Sequence, residues 1–120
     1  MGKINMEGVI LTPLKSIYHP KGDIFHCIKF SDKGYVGFSE AYISTVKSGQ
    51  VKGWNRHKRM TLNLIVLLGS VKFVINDDRS KQISNNLIEV ELSLKNYQRL
   101  TVPPGLWVGF QCTSKIDGMV

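Results

Sequence analysis

The sequence predicts an all-β fold in a single domain spanning residues 1–120, and three observations predict it. Apolar runs of about four to eight residues recur between Gly, Pro, Asn and Asp turn signals. No segment keeps a helical period through three turns. The run at 62–68 is apolar on both faces, as a strand covered on both sides requires. Many short strands at this spacing build a sandwich or a jelly roll.

Each element follows from its own pattern. Residues 9–15 form a first strand, and the turn Pro20-Lys21-Gly22 separates it from a second at 23–30. After Asp32-Lys33-Gly34, a third strand at 37–46 places Phe38, Glu40, Tyr42 and Ser44 on one face. Ser48-Gly49 turns the chain into a strand at 51–58, where residues 51, 53, 55 and 57 share one face and Lys52, Trp54, Arg56 and Lys58 the other. In the strand at 62–68, Leu62, Leu64, Val66 and Leu68 line the interior, while Ile65 and Leu67 make the opposite face apolar as well. Gly69-Ser70 leads to 71–77, then Asn76-Asp77-Asp78 and Asn85-Asn86 lead to 87–92. The last strands are 97–102 and 106–112, joined by Pro103-Pro104-Gly105. No linker, low-complexity tract or internal repeat interrupts the chain, so one compact unit is expected.

Composition narrows the function. A 120-residue chain with 42% hydrophobic residues can bury a real core. Cys27 and Cys112 are too few for a disulfide framework, and no signal peptide is evident, so a cytoplasmic protein with reduced thiols is expected. The longest apolar run is too short to cross a bilayer, which argues against a membrane role. The net charge of +7 suits an anionic ligand, and Lys52, Arg56, Lys58 and Arg59 gather in one stretch. With no zinc-finger spacing and no long amphipathic helix, nucleic acid is not the expected partner. Most other lysines are read as a solvated surface.

The run Lys52-Gly53-Trp54-Asn55-Arg56-His57, closed by Gly69, is similar to the first motif of the cupin superfamily: a glycine, two histidines one residue apart, a glutamate and a final glycine. Asn55 stands at the first histidine and Leu62 at the glutamate. Three further segments extend the resemblance: Pro20-Lys21-Gly22-Asp23-Ile24-Phe25, Phe38-Ser39-Glu40-Ala41-Tyr42, and Leu92-Ser93-Leu94-Lys95-Asn96 with Val102-Pro103-Pro104-Gly105 and Gly109-Phe110. Together they resemble the sugar-nucleotide branch of the cupins, which includes dTDP-4-dehydrorhamnose 3,5-epimerase and the dTDP-sugar 3,4-ketoisomerases. The resemblance implies a cupin jelly-roll barrel. It also implies a nucleotide-diphosphate sugar as partner. The epimerases keep a catalytic histidine where this chain has Asn55. Against the ketoisomerases, His57 falls on the second histidine and Tyr42 on an active-site tyrosine.

The cupin metal positions are occupied here by Asn55, His57, Leu62 and Val108, a donor set too poor for a first-row metal. No metal and no cofactor are therefore expected. That leaves His57 as the candidate general base, because an imidazole titrates near neutrality and a proton beside a ketone calls for such a group. The competing interpretation is a core histidine that serves packing. Tyr42 is the candidate partner, able to give a proton to an enolate or bind the ketone oxygen; a tyrosine bridging core and surface is the alternative. Glu40 orients His57 or binds a sugar hydroxyl, unless it forms a surface ion pair. Asn55 is no base but can hold a carbonyl or hydroxyl. Lys52, Arg56, Arg59 and Lys21 are candidates for the pyrophosphate, although by strand parity Lys52 and Arg56 face outward. Trp54 and Trp107 fall on the outer face, where sealing a homodimer is the simpler role.

The expected function is metal-independent epimerisation or keto-isomerisation of a nucleotide-linked 4-keto-6-deoxysugar for surface polysaccharide synthesis. Two alternatives stand beside it: a non-catalytic cupin that binds a sugar or sugar nucleotide, and a small nucleic-acid-binding barrel whose affinity would depend steeply on salt.

Overall fold

The computed structural model describes residues 5–79 and 86–120, and all the regular structure in them is β. The strands are β1 (Ile10–Pro13), β2 (Ser16–Ile17), β3 (Ile24–Phe25), β4 (Thr45–Val46), β5 (Val51–Arg56), β6 (Leu62–Leu64), β7 (Val71–Asn76), β8 (Leu87–Leu92), β9 (Gln98–Val102), β10 (Trp107–Cys112) and β11 (Gly118–Met119). Two antiparallel sheets face each other, one ordered β5-β10-β7-β8 and one β1-β9-β6. Two short pairs, β11-β4 and β2-β3, complete the frame. Asn85 of the expected Asn85-Asn86 turn lies outside the described residues.

Cross-strand partners share a face, so the registers show what each sheet buries. Phe73 stands opposite Phe110 and Val90, and Ile75 opposite Val108 and Ile88. From the other sheet come Leu100, opposite Leu11 and Leu64, and Val102, opposite Leu62. These side chains form one apolar core between the sheets, with Val71, Phe73, Ile75 and Leu100 fully buried. The alternation in 71–76 and 107–112 therefore places their apolar residues as expected.

Gly69, the closing glycine of the motif, is required by its geometry. Its φ is +71°, and a Cβ there would meet the Asp117 carbonyl oxygen and the Ser114 hydroxyl, each at 2.8 Å. Leu68, just before it, bridges to Met119, so the turn brings the end of the chain against the body.

Three expected strands are much shorter than predicted: 62–68 is strand only over Leu62–Leu64, with Leu68 exposed rather than lining the interior, and two others shrink to a pair of residues. Of 23–30 only Ile24–Phe25 is strand, and of 37–46 only Thr45–Val46. Alternation with β-forming residues is present in both segments, but a strand also needs a neighbouring edge. Among the described residues none pairs with 36–43. Two strands absent from the sequence-based expectation, β2 and β11, are short pairings of two residues each.

Candidate functional site

β5 sits at one edge of the four-stranded sheet and β10 is its partner. Asn55 pairs with Val108 and Lys52 with Phe110, so three steps along β5 match two along β10. Gly53 and Trp54 together face Gly109, which makes a β-bulge. The bulge corrects the simple parity of 51–58. Val51 stands opposite Gln111 and Arg56 opposite Trp107, on the outer face, whereas Lys52 and Asn55 lie on the core side beside Phe110 and Val108. Lys52 is thus not outward, because the extra residue turns it over.

His57 follows β5 directly, two positions beyond Asn55. Its carbonyl accepts a hydrogen bond from the Gly105 amide at 2.8 Å, which fixes it to the Pro103-Pro104-Gly105 turn. The ring is half-buried and makes no hydrogen bond to another described residue. Asn55 beside it is exposed, so the inner side of β5 opens to solvent along the free edge of the sheet. The apolar wall behind comes from Val108 and Phe110. A planar base, an amide and a greasy wall at an open edge can receive a small polar ring and remove a proton from it.

The remaining candidates divide. The Lys52 ammonium donates to the Thr45 carbonyl at 2.7 Å and to the Ser44 hydroxyl at 3.2 Å, tying β5 to the start of β4. Arg56 lies over the Trp107 ring, 4.8 Å from its centroid, and 3.8 Å from the Asp78 carboxylate. Asp78 also accepts from the Trp107 indole at 3.1 Å. Arg56 is thereby committed to the outer face, away from Asn55, because it shares that face with its strand partner Trp107. Arg59 is exposed in the turn after His57, and Lys21 is exposed in the turn before β3. Tyr42 and Glu40, expected on a strand pointing inward, instead lie exposed on 36–43, with Tyr42 68% accessible and free of hydrogen bonds. Within one chain the structure does not bring them to His57.

On the outer face, two hollows of about 280 and 300 Å³ flank Trp54. Val51, Lys72, Val74 and Gln111 line the first, and Asn76 and Trp107 the second. Trp54 and Trp107 thus lie outside the barrel, as parity predicts. The described residues hold no group of three or more His, Cys, Asp or Glu side chains able to hold a metal ion. No helix is long and apolar enough to cross a membrane.

One residue escaped the sequence analysis. Arg99, in the middle of β9, is only 1% accessible and is held by carbonyls and a carboxylate of residues 27–33. A basic residue alternating with Leu100 and Gln98 has the pattern of a solvent-facing position, and the only hint was the long loop available to cover it.

No protein-family model matches the chain, and the comparison with curated proteins gives no match. Solved structures do match. The dTDP sugar isomerase of Desulfovibrio desulfuricans G20 superposes with a TM-score of 0.88 at 33% identity, over 94% of this chain and 73% of that one. The dTDP-6-deoxy-D-glucose-3,5-epimerase of Legionella pneumophila, solved with dTDP-4-keto-L-rhamnose, gives a TM-score of 0.80 at 20% identity, over 97% of this chain and 66% of that one. The sugar 3,4-ketoisomerase of Thermoanaerobacterium thermosaccharolyticum, solved with TDP, gives 0.70 at 19%, over 96% and 79%. The latter two likenesses establish the fold, an all-β jelly roll. With 33% identity to the dTDP sugar isomerase across nearly the whole chain, the chain belongs to the family of dTDP-sugar isomerases and epimerases.

Proposed function

We propose that this chain moves a proton next to the ketone of a nucleotide-linked 4-keto-6-deoxysugar, acting as a metal-independent epimerase or keto-isomerase in surface polysaccharide synthesis. The observation that carries the reading is the half-buried His57 ring, free of hydrogen bonds, beside Asn55 at an open edge of an apolar barrel. His57 abstracts the proton. Asn55 holds the ketone or a neighbouring hydroxyl, and the apolar wall raises the strength of that contact with a developing enolate. Tyr42 and Glu40, which one chain does not bring to His57, act in this reading from the second copy of a homodimer, Tyr42 assisting at oxygen or returning the proton and Glu40 positioning the ring. Lys52, Arg59 and Lys21 supply positive charge for the diphosphate, while Arg56 is held elsewhere by Trp107 and Asp78.

The working unit in this reading is a cytoplasmic homodimer. More than half of the exposed large hydrophobic side chains among the described residues fall between 17 and 43, including Phe30, Val36, Phe38, Tyr42 and Ile43. A patch of that extent asks for a protein cover, and a second copy offers one. Both cysteines are unpaired, in keeping with a reducing compartment.

A second reading is favoured by Asn55, which stands where the epimerases keep their catalytic histidine: a non-catalytic cupin that binds the sugar nucleotide. Solvent deuterium decides between them. Candidate keto-sugar nucleotides incubated in heavy water gain label beside the ketone if the chain is an enzyme. A binding module only raises the melting temperature with ligand. In His57→Ala, label incorporation falls by roughly 10²–10⁴-fold while the fold is kept. Undiminished turnover in that variant ends the proposal.

A further inference from the structure

β9 is buried at every position from Gln98 to Val102, although only one of its faces meets the core. Its other face is covered by residues 26–34, a strap that forms no sheet with it. Side chains at alternating positions of β9 hold this strap. Tyr97 donates its hydroxyl to the His26 carbonyl at 2.7 Å. Arg99 donates through Nη1 to the Cys27 carbonyl at 2.6 Å and to Asp32 Oδ2 at 3.3 Å, and through Nη2 to the Lys33 carbonyl at 3.2 Å. Thr101 donates to Asn63 Oδ1 at 2.7 Å, and the Asn63 amide donates to the Gly34 carbonyl at 2.9 Å. Gly34 has φ +90°, and a Cβ there would lie 2.6 Å from the Thr101 hydroxyl, so the strap crosses β9 in close contact.

Arg99 is the unusual member. A buried cation is costly to desolvate, and an aliphatic side chain would cover the same area at lower cost. Its Nε finds no partner. What a guanidinium does and an aliphatic group cannot is gather the carbonyls of residues 27 and 33 onto one rigid fork, fixing the shape of the loop between them. That loop hands the chain directly to 36–43, which carries Glu40 and Tyr42. We infer that Arg99 is a positioning residue, a buried latch that fixes the strap 26–34 and, through it, the segment that presents Glu40 and Tyr42. The catalytic consequence rests on the function proposed above; the latch itself does not.

The test is Arg99→Met beside Arg99→Lys, followed by hydrogen exchange and, on the keto-sugar nucleotide, by turnover. The amides of His26, Lys29 and Asp32 in the strap, and of Tyr35 just after it, are hydrogen-bonded, so their exchange reports the closed strap. In Arg99→Met these amides exchange at least about tenfold faster, while β7 and β10 keep their protection and melting stays cooperative. Arg99→Lys, which retains the charge and can reach one carbonyl, recovers part of the protection. Turnover falls about tenfold, carried by kcat, because a misplaced Tyr42 loses alignment rather than substrate affinity. Unchanged exchange in the strap overturns the latch. Faster exchange spread evenly through β7 and β10 overturns it too, since that marks an ordinary core residue. A loosened strap with undiminished kcat removes the link to the site. If the wild-type protein shows no turnover, the exchange measurement alone decides.

Discussion

β9 and residues 36–43 are opposites built from similar letters. Both mix bulky apolar residues with polar ones, yet every residue of β9 is buried and 36–43 is exposed throughout, with Phe38 76% accessible. β9 has β1 on one side and β6 on the other, and the strap over its outer face. Residues 36–43 have no neighbouring edge among the described residues. The pattern of a sequence thus states that a segment can be a strand, and only the supply of edges decides whether it becomes one. The body of the sandwich completes itself, whereas 36–43 leaves Val36, Phe38, Tyr42 and Ile43 uncovered within the chain.

The largest effect that can break this contrast lies in the body. Phe73 is fully buried, packed 5.7 Å from Phe110 ring to ring, and Phe73→Ala should cost about 3–5 kcal/mol, read by urea unfolding. If that loss were below 1 kcal/mol on the same scale, the core would not be the tight unit described. Phe38→Ser, by contrast, should leave the unfolding free energy of the isolated chain within about 0.5 kcal/mol. The same substitution should shift the protein toward monomer in sedimentation experiments. A lowered unfolding energy at concentrations where the wild type is monomeric would mean that 36–43 packs on its own body after all.

The smallest effect concerns a polar fastening of the body. Hydrogen bonds from Thr113 and then Ser70 hold the Glu91 carboxyl below its ordinary value, linking the ends of β10, β7 and β8. A carboxyl lowered in the folded state stabilises above its unfolded value of 4.5 and loses that contribution as pH falls through the folded value. Glu91→Gln should therefore melt slightly below wild type at neutral pH, with the two curves converging as acid protonates the carboxyl. A gap that widened in acid would contradict this sign.

Much of the fold was legible. The short apolar runs at 71–76 and 107–112, with the turn Pro103-Pro104-Gly105, locate the core strands. The segments 23–30 and 37–46 were overread, since alternation carries no information about partners. At the site, Asn55 and His57 were legible through the resemblance of their motif. Arg56 faces outward as parity indicates, but Lys52 does not, because a one-residue bulge at Gly53 and Trp54 shifts parity and leaves only a glycine as its trace. Arg99 was invisible for a related reason: a cation in a strand has the look of a surface residue until a distant loop closes over it. Tyr97 shares that fate, and its burial, with the Cys27 thiol 3.8 Å away, pushes its phenol well above the ordinary value, so it stays a donor to the strap.

The bare flank of β5 offers water a row of backbone donors and acceptors that any extended chain could seize. Lys52 and Arg56 stand on that strand and Lys58 and Arg59 just past it, so two such flanks approaching one another meet cation against cation. Residues 36–43 contain no basic side chain and one acid, Glu40, and suffer no such repulsion. The positive cluster thereby discourages chains from stacking edge to edge into fibres.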